Sequence, residues 1–357
     1  MVVFHVSIYI CVKAWTMKTE KEIDELLDTI RIPSDKEVEA AGLRFDRRIR
    51  GMRLRRRMIW GVSSAAAVVL IGIIFILFWQ EDSKHMPVEV AKVIKIDPHV
   101  TVPTLILSNG NSVNLKEEKV EKKIQESNIR VANNHIAYDS VSNIQKVEYN
   151  TLVIPAGYTY NVTLADGTRV TLNAGSCLKY PVEFIGDRRE VELSGEAYFD
   201  VTKSEKPFEV SVSDSKIRVY GTQFNVKTSR ENTVETVLVE GKIGFRSPGR
   251  EEVKVVPGEQ VSYNATSGSV DVRQVDTRYA TAWMDGVFKY QDKKLDLVLE
   301  DISDWYGIEF EPQTDITMIE VTMNLNKKTP VEEVISFIEL MTNCKFVKER
   351  GHYIIKK

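Results

Sequence analysis

The side chains able to do chemistry are scattered along this sequence, not gathered. His5, His85, His99, His135 and His352 stand singly, with no HExxH and no imidazole pair one helical turn apart, so no zinc spacing is present. Cys11, Cys177 and Cys344 are odd in number and far apart, which excludes a disulfide framework and any CxxC metal or redox pair. Cys177 and Cys344 read either as a bridge or as two buried thiols. Ser176 lies in AGSCL, without the GxSxG elbow, and no Walker loop or GxGxxG follows a strand. Glu196 in GEAYF and the pair Glu300-Asp301 read as turn and helix-surface carboxylates. The expectation is a protein that is not an enzyme, with no catalytic residues, no cofactor and no metal.

The elements that would position any site begin with the charge distribution. Hydrophobic content of 43% with 28% charged residues fits folded globular material, not a many-helix transporter. At 357 residues the chain is long enough for two domains and more. The net charge of -3 hides an asymmetry: residues 1–57 hold 13 Lys and Arg against 9 Asp and Glu, which leaves -7 on the rest. Two compartments follow naturally.

Met58 to Trp79, MIWGVSSAAAVVLIGIIFILFW, carries no charge and as a helix would span about 33 Å, enough for about 30 Å of hydrocarbon. Trp60 and Trp79 sit at its ends, where amphipathic rings favour the interface. Arg44, Arg47, Arg48, Arg50, Arg53, Arg55, Arg56 and Arg57 precede it, while Gln80, Glu81 and Asp82 follow. Positive flanks stay inside, so the expected topology is a single-pass inner-membrane protein with a cytoplasmic N-terminus and the bulk outside. The apolar run is longer than a signal-peptide core and begins deep in the chain. Topology control is also a simpler account of the arginines than direct nucleic-acid binding.

Inside, Thr19 and Glu22 form a capping box, after which Ile23, Leu26, Leu27 and Ile30 recur on one helical face. Pro33 breaks that helix, Ser34 and Glu37 open a second, and Met17 is the expected start of translation. Two short helices bury little alone. Their apolar faces either pack on each other or complete a core on a partner.

Beyond the span the pattern is β. Tyr158, Tyr160, Val162 and Leu164 alternate into Asp166-Gly167, and Val170 and Leu172 alternate out, as a half-buried hairpin should. ILSNGNSVNL, from Ile106, looks like a weak copy of TLADGTRVTL, from Thr163. Short alternating stretches continue to Tyr263, punctuated by Gly195, Gly221, Gly241 and Pro257-Gly258, which predicts an all-β sandwich or solenoid. From Trp283 the period changes. Val287 to Tyr290 reads as a strand, Leu295, Leu297, Val298, Ile302 and Trp305 as a helix, and Ile308 with Phe310 as a strand. A second round runs through Val321 to Leu325, a helix opened by Pro330 with Val331, Val334, Ile335, Ile338 and Leu340, and strands at Phe346 and Tyr353 to Ile355. The fold class is therefore mainly β with α+β: short N-terminal helices, one transmembrane helix, the β domain, and a C-terminal βαβ-βαβ module. The expected domains are 1–57, 58–79, 80–278 and 279–357.

LADGTRVTLNAGSCLKYP, GEAYFDV, PFEV, VYGTQFNV, LVEGKIGF and VPGEQ, in that order, resemble the periplasmic domain of FecR-type anti-sigma factors over Tyr149 to Tyr263. ILSNGNSVNL resembles the Bacteroidetes version; Thr171 and Cys177 depart from the usual residues. The module from Trp283 is similar to the C-terminal part of the same regulators, to the signalling domain of TonB-dependent transducers and to secretin N-domains. The resemblance implies that the N-terminal helices, through Ile23, Leu26, Leu27 and Ile30, hold an extracytoplasmic-function (ECF) sigma factor. It further implies that the exterior reads the signalling domain of an outer-membrane TonB-dependent receptor, and that envelope proteases release the signal. A membrane-anchored periplasmic adaptor or envelope scaffold, and a tethered glycan-binding or glycan-cleaving protein, are the competing expectations.

Overall fold

The computed structural model describes residues 100–116, 129–132, 135–138, 147–230 and 232–357. Ile23, Leu26, Leu27, Ile30, the Met17 start and the Met58–Trp79 span all lie outside them. Among the described residues no helix is long and apolar enough to cross a membrane.

Alternating apolar residues build two nine-stranded sheets, and the chain fills them by switching from one to the other. The first sheet receives β1 (Thr104–Ile106) and β2 (Ser112–Asn114), and the second β3 (Ile129–Ala132) and β4 (His135–Tyr138). Next come β5 (Tyr149–Ile154) in the first, β6 (Tyr160–Thr163) and β7 (Arg169–Leu172) in the second, and β8 (Ser176–Pro181) and β9 (Arg189–Ser194) in the first. Then β10 (Glu196–Asp200) joins the second, β11 (Phe208–Val212) and β12 (Ser215–Val219) the first, and β13 (Gln223–Thr228) and β14 (Thr233–Glu240) the second. Finally β15 (Ile243–Arg246) and β16 (Val253–Val255) complete the first sheet, and β17 (Glu259–Asn264) and β18 (Ser269–Gln274) the second.

The orders are β16-β15-β12-β11-β9-β8-β5-β1-β2 and β18-β17-β14-β13-β10-β7-β6-β4-β3. Both run nearly in sequence order, so the molecule is a sandwich laid down by solenoid-like advance. All pairings are antiparallel except β9 with β11 and β4 with β6. Inward residues from both sheets form one core around Phe199, Phe208 and Phe224, with the Phe199 and Phe224 rings stacked at 5.1 Å.

The suspected repeat is a repeated hairpin. Leu107 N–H donates to Asn111 O at 2.8 Å and Gly110 N–H to Leu107 O at 2.9 Å; Leu164 and Gly167 do the same with Thr168 and Leu164, both at 2.9 Å. Asn109 Oδ1 and Asp166 Oδ1 each accept from the N–H two residues on, at 2.9 and 3.0 Å. The copies lie in opposite sheets.

The punctuating glycines are sheet-switching corners: Gly195 joins β9 to β10, Gly221 β12 to β13, Gly241 β14 to β15, and Gly258 β16 to β17. At Gly195, with φ +95°, a Cβ would lie 2.6 Å from Ser176 Oγ and 2.7 Å from Ser176 Cα. Only glycine fits there.

After β18 a short helix, α1 (Thr277–Thr281), and a 3₁₀ turn (Ala282–Asp285) lead to β19 (Val287–Lys294), α2 (Leu295–Tyr306) and β20 (Glu309–Pro312). β21 (Glu320–Asn326), α3 (Val331–Thr342), β22 (Lys345–Glu349) and β23 (His352–Lys356) follow. β19 pairs antiparallel with β21, while β23 pairs parallel with β20 and antiparallel with β22. α2 buries Leu295, Val298, Leu299 and Ile302 and ends at Gly307; α3 buries Val334, Ile335 and Ile338 and ends at Asn343, both caps left-handed. Leu340, read from the sequence as part of the α3 stripe, is instead 81% exposed, because it lies round the helix from Ile338. The module has its own core, beginning at Phe288.

Candidate functional site

The polar groups that the fold gathers lie where the C-terminal module meets the sandwich. β10 and β13 are neighbours in the second sheet, and their outward residues Glu196, Asn225 and Lys227 face α2 and the β21–α3 loop. Glu196 is set by the Gly195 corner: Ser176 Oγ accepts from Glu196 N–H at 2.8 Å and donates to Glu196 O at 2.9 Å. Its carboxylate accepts from Asn225 Nδ2 at 2.9 Å and Asn173 Nδ2 at 2.7 Å. The outer oxygens of those two amides accept from the module, Asn225 Oδ1 from Trp283 Nε1 at 3.1 Å and Asn173 Oδ1 from Lys327 Nζ at 2.9 Å. Ala174 N–H donates to Asn173 Oδ1 at 2.9 Å, which fixes that amide's orientation, since an N–H can only donate. A continuous chain therefore runs Trp283–Asn225–Glu196–Asn173–Lys327 across the seam.

A second set of contacts runs beside it. Asp301 of α2 takes Lys227 of β13 on one oxygen and Lys293 of β19 on the other, the latter at 2.9 Å. Arg230 clasps the same helix, its N–H donating to Glu300 at 3.1 Å and its guanidinium to Asp304 at 3.2 Å. Burial alone would raise the Asp301 carboxyl, but Lys227 and Lys293 hold it below the usual carboxylate range. Burial would likewise lower Lys227, whereas Asp301 and Glu196 hold it above its ordinary value. Burial raises Glu196, against the pull of Lys227.

The reading of Glu196 and Asp301 as turn and helix-surface groups is thus corrected. Glu196 is on a strand, and the α2 face carrying Asp301 is covered by the sandwich, leaving the Asp301 side chain 16% exposed. A cleft of about 640 Å³ opens beside the seam, lined by groups of both signs, among them Lys227, Asp301, Arg273 and Lys289, and by Trp283 and Tyr290. It is no apolar pocket.

The residues weighed for chemistry do not converge. Ser176 closes the corner described above. His135 Nε2 lies 2.7 Å from Thr163 Oγ1, and His352 lies 3.4 Å from Glu311. Cys177 and Cys344 are free, buried thiols, and burial pushes Cys177 up to about 12. Among the described residues no group of three or more His, Cys, Asp or Glu is placed to hold a metal. Sequence reading missed Asn173, Asn225, Lys227 and Lys327; the available signal was Trp283 and Trp305, the two tryptophans that follow residue 79, both of which lie at the seam.

Fold and site together define a β-sandwich that carries a separate α+β module on a polar, hydrogen-bonded seam. The chain belongs to the FecR family. Residues 150–244 match the family described as FecR protein, and residues 287–355 match that described as FecR, C-terminal. Two crystal structures of a protein from Parabacteroides distasonis ATCC 8503, assigned as an anti-sigma factor, are similar to it. The one at 1.65 Å is 30% identical with a TM-score of 0.54, covering 58% of this chain and 98% of that one. The one at 2.50 Å is 29% identical with a TM-score of 0.54, covering 58% of this chain and 99% of that one. No curated protein matches the chain.

Proposed function

We propose that this chain is a membrane-spanning anti-sigma factor that sequesters or controls an ECF sigma factor. In this reading it crosses the inner membrane once, through Met58–Trp79, with residues 1–57 in the cytoplasm. The exterior sandwich and module take a signal from the signalling domain of an outer-membrane TonB-dependent transducer, and regulated proteolysis by envelope proteases carries it inward. The observation that carries the reading is the pair of FecR matches in one chain, together with 30% identity across nearly all of a relative assigned as an anti-sigma factor. The uncharged run with eight arginines before it supports the topology.

A lone span transmits a shape change poorly, which favours cleavage as the output. Gly61, Ser64, Ala65 and Gly72 within it suit close packing or local unwinding. The test is co-purification of the full chain with the sigma factors of its own cell. One sigma factor should be retained, and Leu26→Asp with Leu27→Asp should release it. Retention of none under crosslinking, or a reporter fused after Lys357 that is active only in the cytosol, overturns the proposal.

A further inference from the structure

The sandwich and the module have separate hydrophobic cores, and between them run hydrogen bonds and ion pairs, beside the apolar Ala174, Val237 and Trp283, which are buried outside either core. Lys327 is the odd member of that junction. It is only 4% exposed, yet among the described residues its Nζ makes no ion pair; it donates to Asn173 Oδ1 and lies over the rings of Trp305, Phe288 and Trp283 at 4.3, 5.5 and 5.8 Å. Aromatic faces attract a cation but replace only part of the hydration it gave up. Glu196 of β10, Lys227 of β13, and Asp301 and Asp304 of α2 are the charges that face it, beyond ion-pair distance.

We infer that the seam is a releasable latch, weakened by the buried Lys327 ammonium, from which the module leaves the sandwich without either core unfolding. This holds whether or not the chain controls a sigma factor. Burial is the largest influence on Lys327 and draws it from 10.5 down to about 8, with Glu196 and Asp301 opposing and Lys227 adding. A docked lysine that releases its proton more readily than a free one penalises docking while charged. The penalty is full below pH 8 and fades as pH rises toward 10.5, so docking tightens on the alkaline side. From pH 7 to 9.5 the opening constant should fall about 30-fold.

Ala174 is buried at the seam beside Asp304 and Trp305, so a thiol there reports opening. The test uses the full chain with Cys11→Ser and Ala174→Cys, labelled with a thiol reagent and corrected for thiolate content with an unstructured peptide. Buried Cys177 and Cys344 serve as internal reports of global unfolding. The thiol at 174 should react faster than both, and its corrected rate should fall about 30-fold from pH 7 to 9.5. Lys327→Met should react slowly at every pH with no slope, and Lys327→Gln, which keeps a donor for Asn173, should show the same flat profile should the first variant fail to fold. Glu196→Gln, which removes a charge opposing the lowering of Lys327, should keep the slope or steepen it. A thiol at 174 that reacts no faster than Cys177, or a slope unchanged in both Lys327 variants, overturns the latch.

Discussion

Replacing Asp301 by alanine is the sharpest perturbation of the seam. Both oxygens of Asp301 are engaged, by Lys227 and Lys293, and the Lys227 and Asp301 side chains are 13% and 16% exposed. At about 3 Å and an effective dielectric of about 20, each pair is worth roughly 5 kcal/mol of gross attraction, offset by several kcal/mol of desolvation per ion, so the intact cluster nets little. Alanine removes the acceptor and leaves Lys227 buried beside Lys293 without their shared counter-charge. The expected cost to the closed junction is about 3–5 kcal/mol. Because an open seam escapes this cost, calorimetry of the full chain should show the module melting separately from the sandwich. Asp301→Leu combined with Lys227→Met should cost less than Asp301→Ala alone, because the more buried of the two paired ammoniums is gone and Lys293, 25% exposed, can rehydrate. A variant whose melt is unchanged from the wild type, or a double variant whose cost equals the sum of its singles, refutes this account.

Gly195→Ala places a Cβ against Ser176 Cα at 2.7 Å in a left-handed backbone, and should cost on the order of 2–4 kcal/mol in chemical denaturation; a neutral effect would mean that the corner relaxes freely. Gly175→Cys with Asp304→Cys should form a disulfide on oxidation, since a Cβ at 175 lies 3.4 Å from Asp304 Cβ, close to the usual disulfide separation, with about 1–2 kcal/mol lost to the left-handed backbone at 175. Mass spectrometry reads the bond. A crosslinked chain that still relays its signal in cells would exclude seam opening from the relay.

Much of the sandwich was legible because a half-buried strand writes itself as alternation: Tyr160, Val162, Val170 and Leu172 all point inward. The corner glycines were legible as breaks, though not as sheet switches, since a break carries no direction. In the module, periodicity found the cores of α2 and α3 but swept in Leu340, which helical spacing alone could not separate from Ile338. The seam was hidden for a different reason. Periodicity reports the face an element turns to its own core; a charged face reads as solvated even when a second body covers it. Lys227 and Asp301 are 74 positions apart, and Asn173 and Lys327 are 154, separations at which no local pattern links them.

The chemistry of that seam ties the cost of the Asp301 variant to the ease of opening in the native chain. Had the sandwich and module fused their cores, separation would expose apolar surface at about 25 cal/mol per Å², and the two would melt as one body. A seam held largely by charges and amides behaves otherwise: when it opens, water replaces each polar partner, so the intact junction can part at less net cost while the loss of one charge from the closed junction is expensive. Lys327 tilts the balance further, as the ammonium that gains least from being closed in. Strong dependence on each charge and weak hold overall are thus one property of the junction, and they leave the two cores intact as the module moves.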